Sequence, residues 1–169
     1  MKKLFLILSL FILSGCYNST PKREVSIYLD NLKKVDTNTI ETISKLIESN
    51  NISLKNNEIK EIYQKYFRKF KYNIKDTIID GNKSKVIVEI ETYDYSKEIE
   101  NILEYINNYK SSFKTDEDKN KYIINQIKNN NKKVIYTLEF TLTKITEEWY
   151  IDNIDTSTLE KIYGIYKYN

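Results

Sequence analysis

The chain has 169 residues, which is the length of a short amino-terminal segment followed by one domain. It contains 27 Lys and Arg residues against 24 Asp and Glu, with no His, one Cys and three Gly. Without His, the chain cannot build a Ser-His-Asp or Cys-His catalytic site, and metal sites based on His or Cys are excluded as well. The two glycines outside the first 15 residues are too few for a dinucleotide-binding or phosphate-binding loop.

The first sixteen residues have the pattern of a lipoprotein signal peptide. Lys2 and Lys3 form a basic start, and the apolar segment 4–13 follows, interrupted only by Ser9. This segment is shorter than the roughly 20 apolar residues that a membrane-spanning helix needs. It leads into Leu-Ser-Gly-Cys at residues 13–16, which resembles the lipobox of bacterial lipoproteins. In that motif the cysteine receives a diacylglycerol and the peptide is cut just before it.

The resemblance implies a mature chain that begins at a lipidated Cys16 and is exported and anchored to the bacterial cell membrane or outer membrane. Removal of residues 1–15 takes away Lys2 and Lys3, so 25 of the 27 basic residues remain against 24 acidic residues. A nearly neutral domain has no general attraction for nucleic acid, and we expect no nucleic-acid partner. The alternative interpretation is an ordinary secretory peptide with an incidental cysteine.

Three helices are predicted before residue 71. Residues 16–23 are polar, which indicates a tether before a single domain at 24–169. Helical spacing begins at Glu24, a second helix is predicted to be capped by Asn38, and the third is rich in aromatic residues. The apolar positions of the three helices are Val25, Tyr28, Leu29, Leu32 and Val35; Ile40, Ile43 and Ile47; and Ile59, Tyr63, Tyr66, Phe67 and Phe70.

After residue 70 the sequence predicts two β-hairpins separated by two helices. Alternating apolar and polar residues indicate the strands, and Gly81 supplies the turn of the first hairpin. A short last helix is predicted to begin with a capping box of Ser157 and Glu160 and to end near Gly164. The predicted ranges are 71–80 and 84–94 for the first hairpin, 96–113 and 115–128 for the helices, and 133–145 and 148–154 for the second hairpin.

This order of elements predicts an α+β domain in which helices pack on one face of a curved antiparallel sheet of about four strands. Amino-terminal helices, such a sheet and the late strand Trp149-Tyr150-Ile151-Asp152 resemble the nuclear transport factor 2-like superfamily. The whole mature chain is similar to small bacterial lipoproteins that carry this cone-shaped domain. The resemblance implies a sheet that curves around a cavity, which members of the superfamily use as a pocket.

Four aromatic residues on predicted inward faces are the candidate pocket-lining residues, namely Tyr28, Tyr63, Tyr136 and Trp149. Inward aromatic residues usually pack the core, but inside a cone a tyrosine can also offer its hydroxyl to a ligand. If the cone is open, we expect the tyrosine hydroxyls to point into the cavity instead of bonding to the backbone. The predicted ligand is then small and partly apolar, and is bound without turnover.

Two charged patterns are better explained by solvation than by a site. Glu89 and Glu91 project from the same face of a strand, but that face lies opposite an apolar one and is expected to be wet. Residues 65–75 alternate basic and aromatic side chains, as in proteins that bind single-stranded nucleic acid. Helical spacing turns Phe67 and Phe70 toward the core, so these rings are not available to stack on bases. The outward lysines then form a solvated face, and the alternative is that they contact an anionic lipid or glycan.

A calcium loop is also excluded by the sequence. Asp116, Asp118 and Asn120 alternate like the first half of such a loop, but Lys121 and Ile127 occupy the positions of its glycine and its late glutamate. A helix start that favours acidic residues explains the pattern better. We therefore predict no metal and no cofactor.

The sequence predicts no catalytic residues, and we expect a non-catalytic binding or interaction module anchored through Cys16. Its expected partners are the membrane and either a small ligand or an envelope protein. One alternative is an enzyme of the cone fold, which a buried carboxylate beside an inward tyrosine would favour. The other is a structural partner in an envelope assembly, which an exposed apolar patch would favour.

Overall fold

A computed structural model describes residues 19–49, 52 and 54–167, and Cys16 lies outside them. Within these residues the chain forms six α-helices and one four-stranded antiparallel sheet, which confirms the α+β class and the strand number. The helices are α1 (Pro21–Asn31), α2 (Thr37–Ser49), α3 (Asn56–Lys65), α4 (Ser96–Asn108), α5 (Asp116–Asn129) and α6 (Thr156–Tyr163). The strands are β1 (Lys71–Asp80), β2 (Lys83–Tyr93), β3 (Lys133–Ile145) and β4 (Glu148–Ile151). Single 3₁₀ turns lie at Phe67–Lys69 and Lys110–Ser112.

Helix α1 begins three residues earlier than predicted, inside the segment that we expected to be tether. Thr20 caps it by accepting a hydrogen bond from the Arg23 N–H at 3.3 Å. Pro21 occupies the first turn, where its fixed φ suits a helix and its missing N–H costs nothing. Residues 21–23 are therefore part of the first helix.

The caps of α2 and α6 are aspartates that lie two residues before the predicted ones. Asp36 accepts the Thr39 N–H at 2.8 Å, so Asn38 is not the cap of α2. In the same way the Asp155 carboxylate accepts the Thr158 N–H at 2.6 Å, and the predicted capping box at Ser157 is wrong. Both aspartates precede the first apolar residue by several positions, where apolar spacing gives no signal.

The sheet is a meander of two hairpins in the order β1-β2-β3-β4. Its centre is the pairing of β2 with β3, which runs from Lys83 opposite Thr143 to Tyr93 opposite Lys133. An irregularity at Lys75 shifts the register of β1 against β2. β4 ends at Ile151, earlier than predicted, and α4 ends five residues early because a 3₁₀ turn follows it.

Helices cover one face of the sheet, as predicted. Alternate residues of β2 and β3 are buried on that face, while their neighbours face solvent. α1 packs against β1, β2 and β4, and α6 packs against β2 and β3. The buried positions are Ser84, Val86, Val88, Ile90 and Thr92 on β2, and Tyr136, Leu138, Phe140 and Leu142 on β3.

The other four helices pack mainly on one another. α2 contacts α3, α4 pairs with α5, and α5 contacts α3. A polar link joins α3 to α5, because the Asn120 amide donates to both carboxylate oxygens of Glu58, at 2.9 and 3.2 Å. The antiparallel pair α4 and α5, with the turn between them, is called the α4–α5 hairpin below.

Candidate binding surface

Tyr63 lies in the buried core. Its side chain is fully buried, and its hydroxyl donates a hydrogen bond to the Leu32 carbonyl at the end of α1. The Tyr163 hydroxyl approaches the same carbonyl at 3.4 Å. Burial raises the pKa of Tyr63 to about 12. This hydroxyl therefore has a backbone partner, unlike the hydroxyls that we expected for an open cone.

Tyr28 and Tyr136 also pack against other rings. Tyr28 meets Phe140 edge to face, with ring centroids 6.1 Å apart, and burial raises the pKa of its hydroxyl. Tyr136 is 7% exposed and packs on Tyr166 with centroids 6.3 Å apart. None of the four open grooves described below is lined by Tyr28, Tyr63 or Tyr136.

Trp149 is the one predicted residue that borders a groove. Its side chain is 8% exposed and lines a depression of about 280 Å³ together with Ile27 and Tyr150. Its backbone N–H donates to Ser19 Oγ at 2.9 Å. This bond joins Ser19, which precedes the cap of α1, to β4. The chain therefore enters the domain at the end of the sheet where Trp149 lies.

The exposed face of the sheet carries ion pairs. Glu89 lies 3.2 Å from Lys75, and Glu91 lies 2.6 Å from Lys133. The hydrogen bond from Lys133 holds the pKa of Glu91 below its usual range. Both glutamates are therefore solvated, as predicted.

Two further grooves are lined in part by charged side chains. One, of about 360 Å³, lies beside the Glu91–Lys133 pair and is also lined by Lys69 and Lys71. The other, of about 440 Å³, lies between α2 and α3 and contains Asp36, Glu41 and Lys60. In the described part of the chain no three acidic or cysteine side chains come close enough to hold a metal ion.

The basic and aromatic segment is divided between core and solvent. Phe67 and Phe70 are buried, as their helical spacing predicted. Lys65 pairs with Glu61 on the exposed side of α3 at 2.9 Å. The solvated-face interpretation of this segment is thus confirmed for these residues.

The α4–α5 hairpin carries a cluster of aromatic rings on its surface, called the aromatic patch below. It consists of Tyr105, Tyr109, Phe113 and Tyr122. Tyr105 stacks on Tyr122 with centroids 4.7 Å apart and 22° between planes, and the centroid of Tyr109 lies 4.7 Å from that of Tyr105 with the two rings tilted by 33°. Phe113 closes the cluster at 6.2 Å from Tyr105 and 5.7 Å from Tyr122. Tyr105 is 39% exposed and Tyr109 is 52% exposed.

An open groove of about 540 Å³ adjoins the aromatic patch, and we call it the α4–α5 groove. Phe113 belongs to both, and Ile106 supplies further apolar lining. The charged lining side chains are Lys110, Lys114, Lys119 and Asp116.

This surface was not predicted from the sequence. The apolar stripe of α4, formed by Ile99, Ile102, Leu103 and Ile106, faces the core. Residues 105, 109 and 113 form a second series with i,i+4 spacing, and Tyr122 follows on the next helix. An aromatic series beside an already complete apolar face is the signal that indicates a surface cluster.

The α4–α5 hairpin leaves the sheet at the end opposite to Ser19. Ser19 bonds to Trp149, which pairs with Lys144 close to the start of β2. β2 has 11 residues and so extends over about 35 Å. α4 begins at Ser96, three residues after β2 ends.

No protein-family profile matches this sequence, and a search of curated proteins finds no significant match. A solved structure from Bacillus subtilis, described as a "putative lipoprotein (ycdA)", is similar to the chain with a TM-score of 0.49 and 17% identity. The match covers 89% of this chain and 48% of that one, so the chain spans about half the length of its structural neighbour. Of the helices in the described residues, none is both long and apolar enough to cross a bilayer.

Proposed function

We propose that this protein is a lipid-anchored, non-catalytic binding module of the bacterial cell envelope, and that it binds its partner through the aromatic patch. The observation that carries the proposal is the packing of the exposed Tyr105 ring against both Tyr109 and Tyr122. Exposed clusters of large apolar side chains mark interaction sites, and tyrosine is enriched at such sites. None of the four rings belongs to the buried core cluster, and only Tyr122 packs against it.

The position of the patch supports this proposal. Cys16 precedes Ser19 by three residues, which an extended chain spans in about 11 Å. Lipid on Cys16 would therefore hold the Trp149 end of the sheet close to the membrane. The α4–α5 hairpin starts from the opposite end, where the membrane would not cover it.

The anchoring part is tested by changing the cysteine. Two fatty chains hold a protein stably on a bilayer, whereas a domain without them dissociates. We expect Cys16→Ser to prevent lipid attachment and to leave an unprocessed precursor. Mass spectrometry of the wild-type amino terminus should find a lipidated Cys16, and an unmodified or differently cleaved terminus would contradict the location.

The binding part is tested by photo-crosslinking in the producing bacterium. A photoreactive amino acid in place of Tyr109 should form adducts with an envelope component. The same amino acid in place of Tyr150, which is 49% exposed on β4, is the matched control. Equal adducts at both positions, or adducts at position 150 alone, would contradict the assignment of the surface.

The nature of the adduct also addresses the alternative of a structural partner in an envelope assembly. The exposed aromatic patch is the feature that favours this second function. A single protein adduct in fixed proportion to the chain would support it. The nuclear transport factor 2-like assignment and a small-ligand pocket at Tyr28, Tyr63, Tyr136 and Trp149 stay predictions.

A further inference from the structure

The α4–α5 groove has an excess of positive charge. Its lining contains three lysines against one carboxylate, and Lys119 lies 3.3 Å from that carboxylate, Asp116. Among the described residues, Lys110 and Lys114 have no carboxylate within ion-pairing distance. Glu117, which follows Asp116 in α5, does not line the groove and pairs with Lys121 at 2.8 Å. Two ammonium groups are therefore available to an anionic ligand.

The apolar part of the same surface consists of flat rings with polar edges. Phe113 lies in the groove and contacts the ring of Tyr105, so the groove continues directly into the aromatic patch. A sugar ring has a face of C–H groups that packs on an aromatic face, and hydroxyls at its edge that bond to polar side chains. Tyrosine provides both an apolar ring and a hydroxyl. Aromatic rings beside unpaired lysines thus match a sugar polymer that carries negative groups.

We propose that the α4–α5 groove binds a segment of an anionic glycan, with Lys110 and Lys114 pairing with its acidic groups and the aromatic patch packing against its sugar rings. This inference rests on the proposed function and narrows the partner to one chemical class. The acidic groups are carboxylates in polyuronates and phosphodiesters in teichoic acids, and both can pair with lysine.

The test measures the binding of labelled polymers to the full chain, held in a neutral detergent and immobilised through a carboxy-terminal tag. The polymers are polygalacturonate, a purified wall teichoic acid, neutral dextran and a thymidine oligonucleotide. Binding of either acidic glycan, weaker with added salt and stronger than that of dextran, is the expected result. The acidic glycan that binds more tightly shows whether the site prefers carboxylates or phosphodiesters. Equal binding of dextran, or tighter binding of the oligonucleotide, would overturn the inference.

Matched double variants locate the site. The double variant Lys110→Gln, Lys114→Gln should bind the acidic glycan about tenfold more weakly, because two charge pairs are lost. Lys45→Gln with Lys132→Gln removes the same charge from exposed positions outside the groove and should leave binding within twofold. Tyr109→Ala should weaken binding without changing its salt dependence, since it removes a ring and no charge. Equal losses in the two lysine variants would show that net charge and not the groove is responsible.

Failure of this inference can be distinguished from failure of the proposed function. If the crosslinks at position 109 join the chain to a protein and neither acidic glycan binds, the glycan is excluded but the binding surface remains. If position 109 forms no adducts in cells, the proposed function itself fails.

Discussion

The tyrosines of β3 and α6 are placed differently from Tyr105 and Tyr109 of the α4–α5 hairpin. On the sheet and α6, Tyr136 and Tyr163 point inward and are almost fully buried. The hairpin buries aliphatic residues, Ile99 and Ile102 of α4 and Ile123 and Ile127 of α5, while Tyr105 and Tyr109 are exposed. The 15 tyrosines of the chain therefore serve two purposes, and their number alone indicates neither.

The two regions should therefore tolerate substitutions differently. Loss of a ring from the sheet leaves a cavity in a close-packed core. A ring removed from the hairpin surface leaves only solvent in its place. We therefore expect the stability of the protein to depend on the sheet and its binding to depend on the hairpin. The following measurements test whether the two properties are separated in this way.

The largest effect is expected at Trp149. Trp149→Ala should lower the free energy of unfolding by about 3 to 5 kcal/mol, as expected for a large-to-small change in a core. Tyr109→Ala, on the exposed side of the hairpin, should change it by about 0.5 kcal/mol or less. Urea unfolding followed by circular dichroism measures both, because Trp149 is the only tryptophan and its fluorescence is lost in the first variant. Similar losses of unfolding free energy in the two variants would contradict the expectation that stability depends on the sheet and not on the surface of the hairpin.

The next effect concerns the junction at which β2 leads into α4. Gly164 has a φ of +71°, and its carbonyl accepts the Tyr95 N–H at 2.7 Å. A Cβ at this position would lie 1.8 Å from the Tyr93 carbonyl oxygen, so Gly164→Ala must move backbone and should cost about 3 kcal/mol.

Gly81 is the matched control for this substitution. It has a similar φ of +55°, but nothing lies within 4 Å of the Cβ position. Gly81→Ala should therefore cost only the backbone strain, about 1 kcal/mol. Thermal unfolding of the two variants measures the difference, and equal costs would show that the contact at the junction contributes nothing.

A smaller effect is expected from the polar link between α3 and α5. Asn120→Asp keeps the shape of the side chain but places a carboxylate against Glu58, which should cost about 2 kcal/mol at neutral pH.

Asn125→Asp on the exposed side of α5 is the control for that change and should have little effect. Hydrogen exchange should place the destabilisation of Asn120→Asp in α4 and α5, with the sheet unchanged. Equal acceleration of exchange throughout the sheet would show that the two regions unfold as one unit.

The smallest effect separates two buried tyrosines. Tyr63→Phe removes a hydrogen bond to the Leu32 carbonyl and should cost about 1 kcal/mol. Tyr95 is equally buried, but its hydroxyl has no partner in the described residues, so Tyr95→Phe should be neutral or slightly stabilising. Urea unfolding of both variants tests this order, and a larger loss for Tyr95→Phe would reverse it.

The elements of the fold could be predicted from the sequence because their patterns are local. The alternation in β1 and β3 gave the bounds of both strands as the structure has them. Caps were predicted less well, since Asp36 and Asp155 lie in segments without apolar spacing. The tertiary position of α2–α5 could not be predicted, because apolar stripes show that a helix is buried but not which element covers it.

The candidate surface was missed for a related reason. A sequence does not distinguish a tyrosine that points inward from one that points outward. The resemblance to a cone-shaped domain led us to predict a site at Tyr28, Tyr63 and Tyr136. Only the packing of the hairpin shows that its apolar face is complete without Tyr105 and Tyr109. A ring that has no place in the core then requires another explanation.

The most direct test of the account compares hydrogen exchange of the native chain in two membranes. The first is a vesicle of phosphatidylcholine, and the second is an envelope fraction from the producing bacterium. We predict that residues 103–122 become protected only in the native envelope, while the exchange of β1, β3 and β4 stays the same in both. Additional protection of the sheet, with none in residues 103–122, would contradict the claim that the α4–α5 hairpin carries the binding surface.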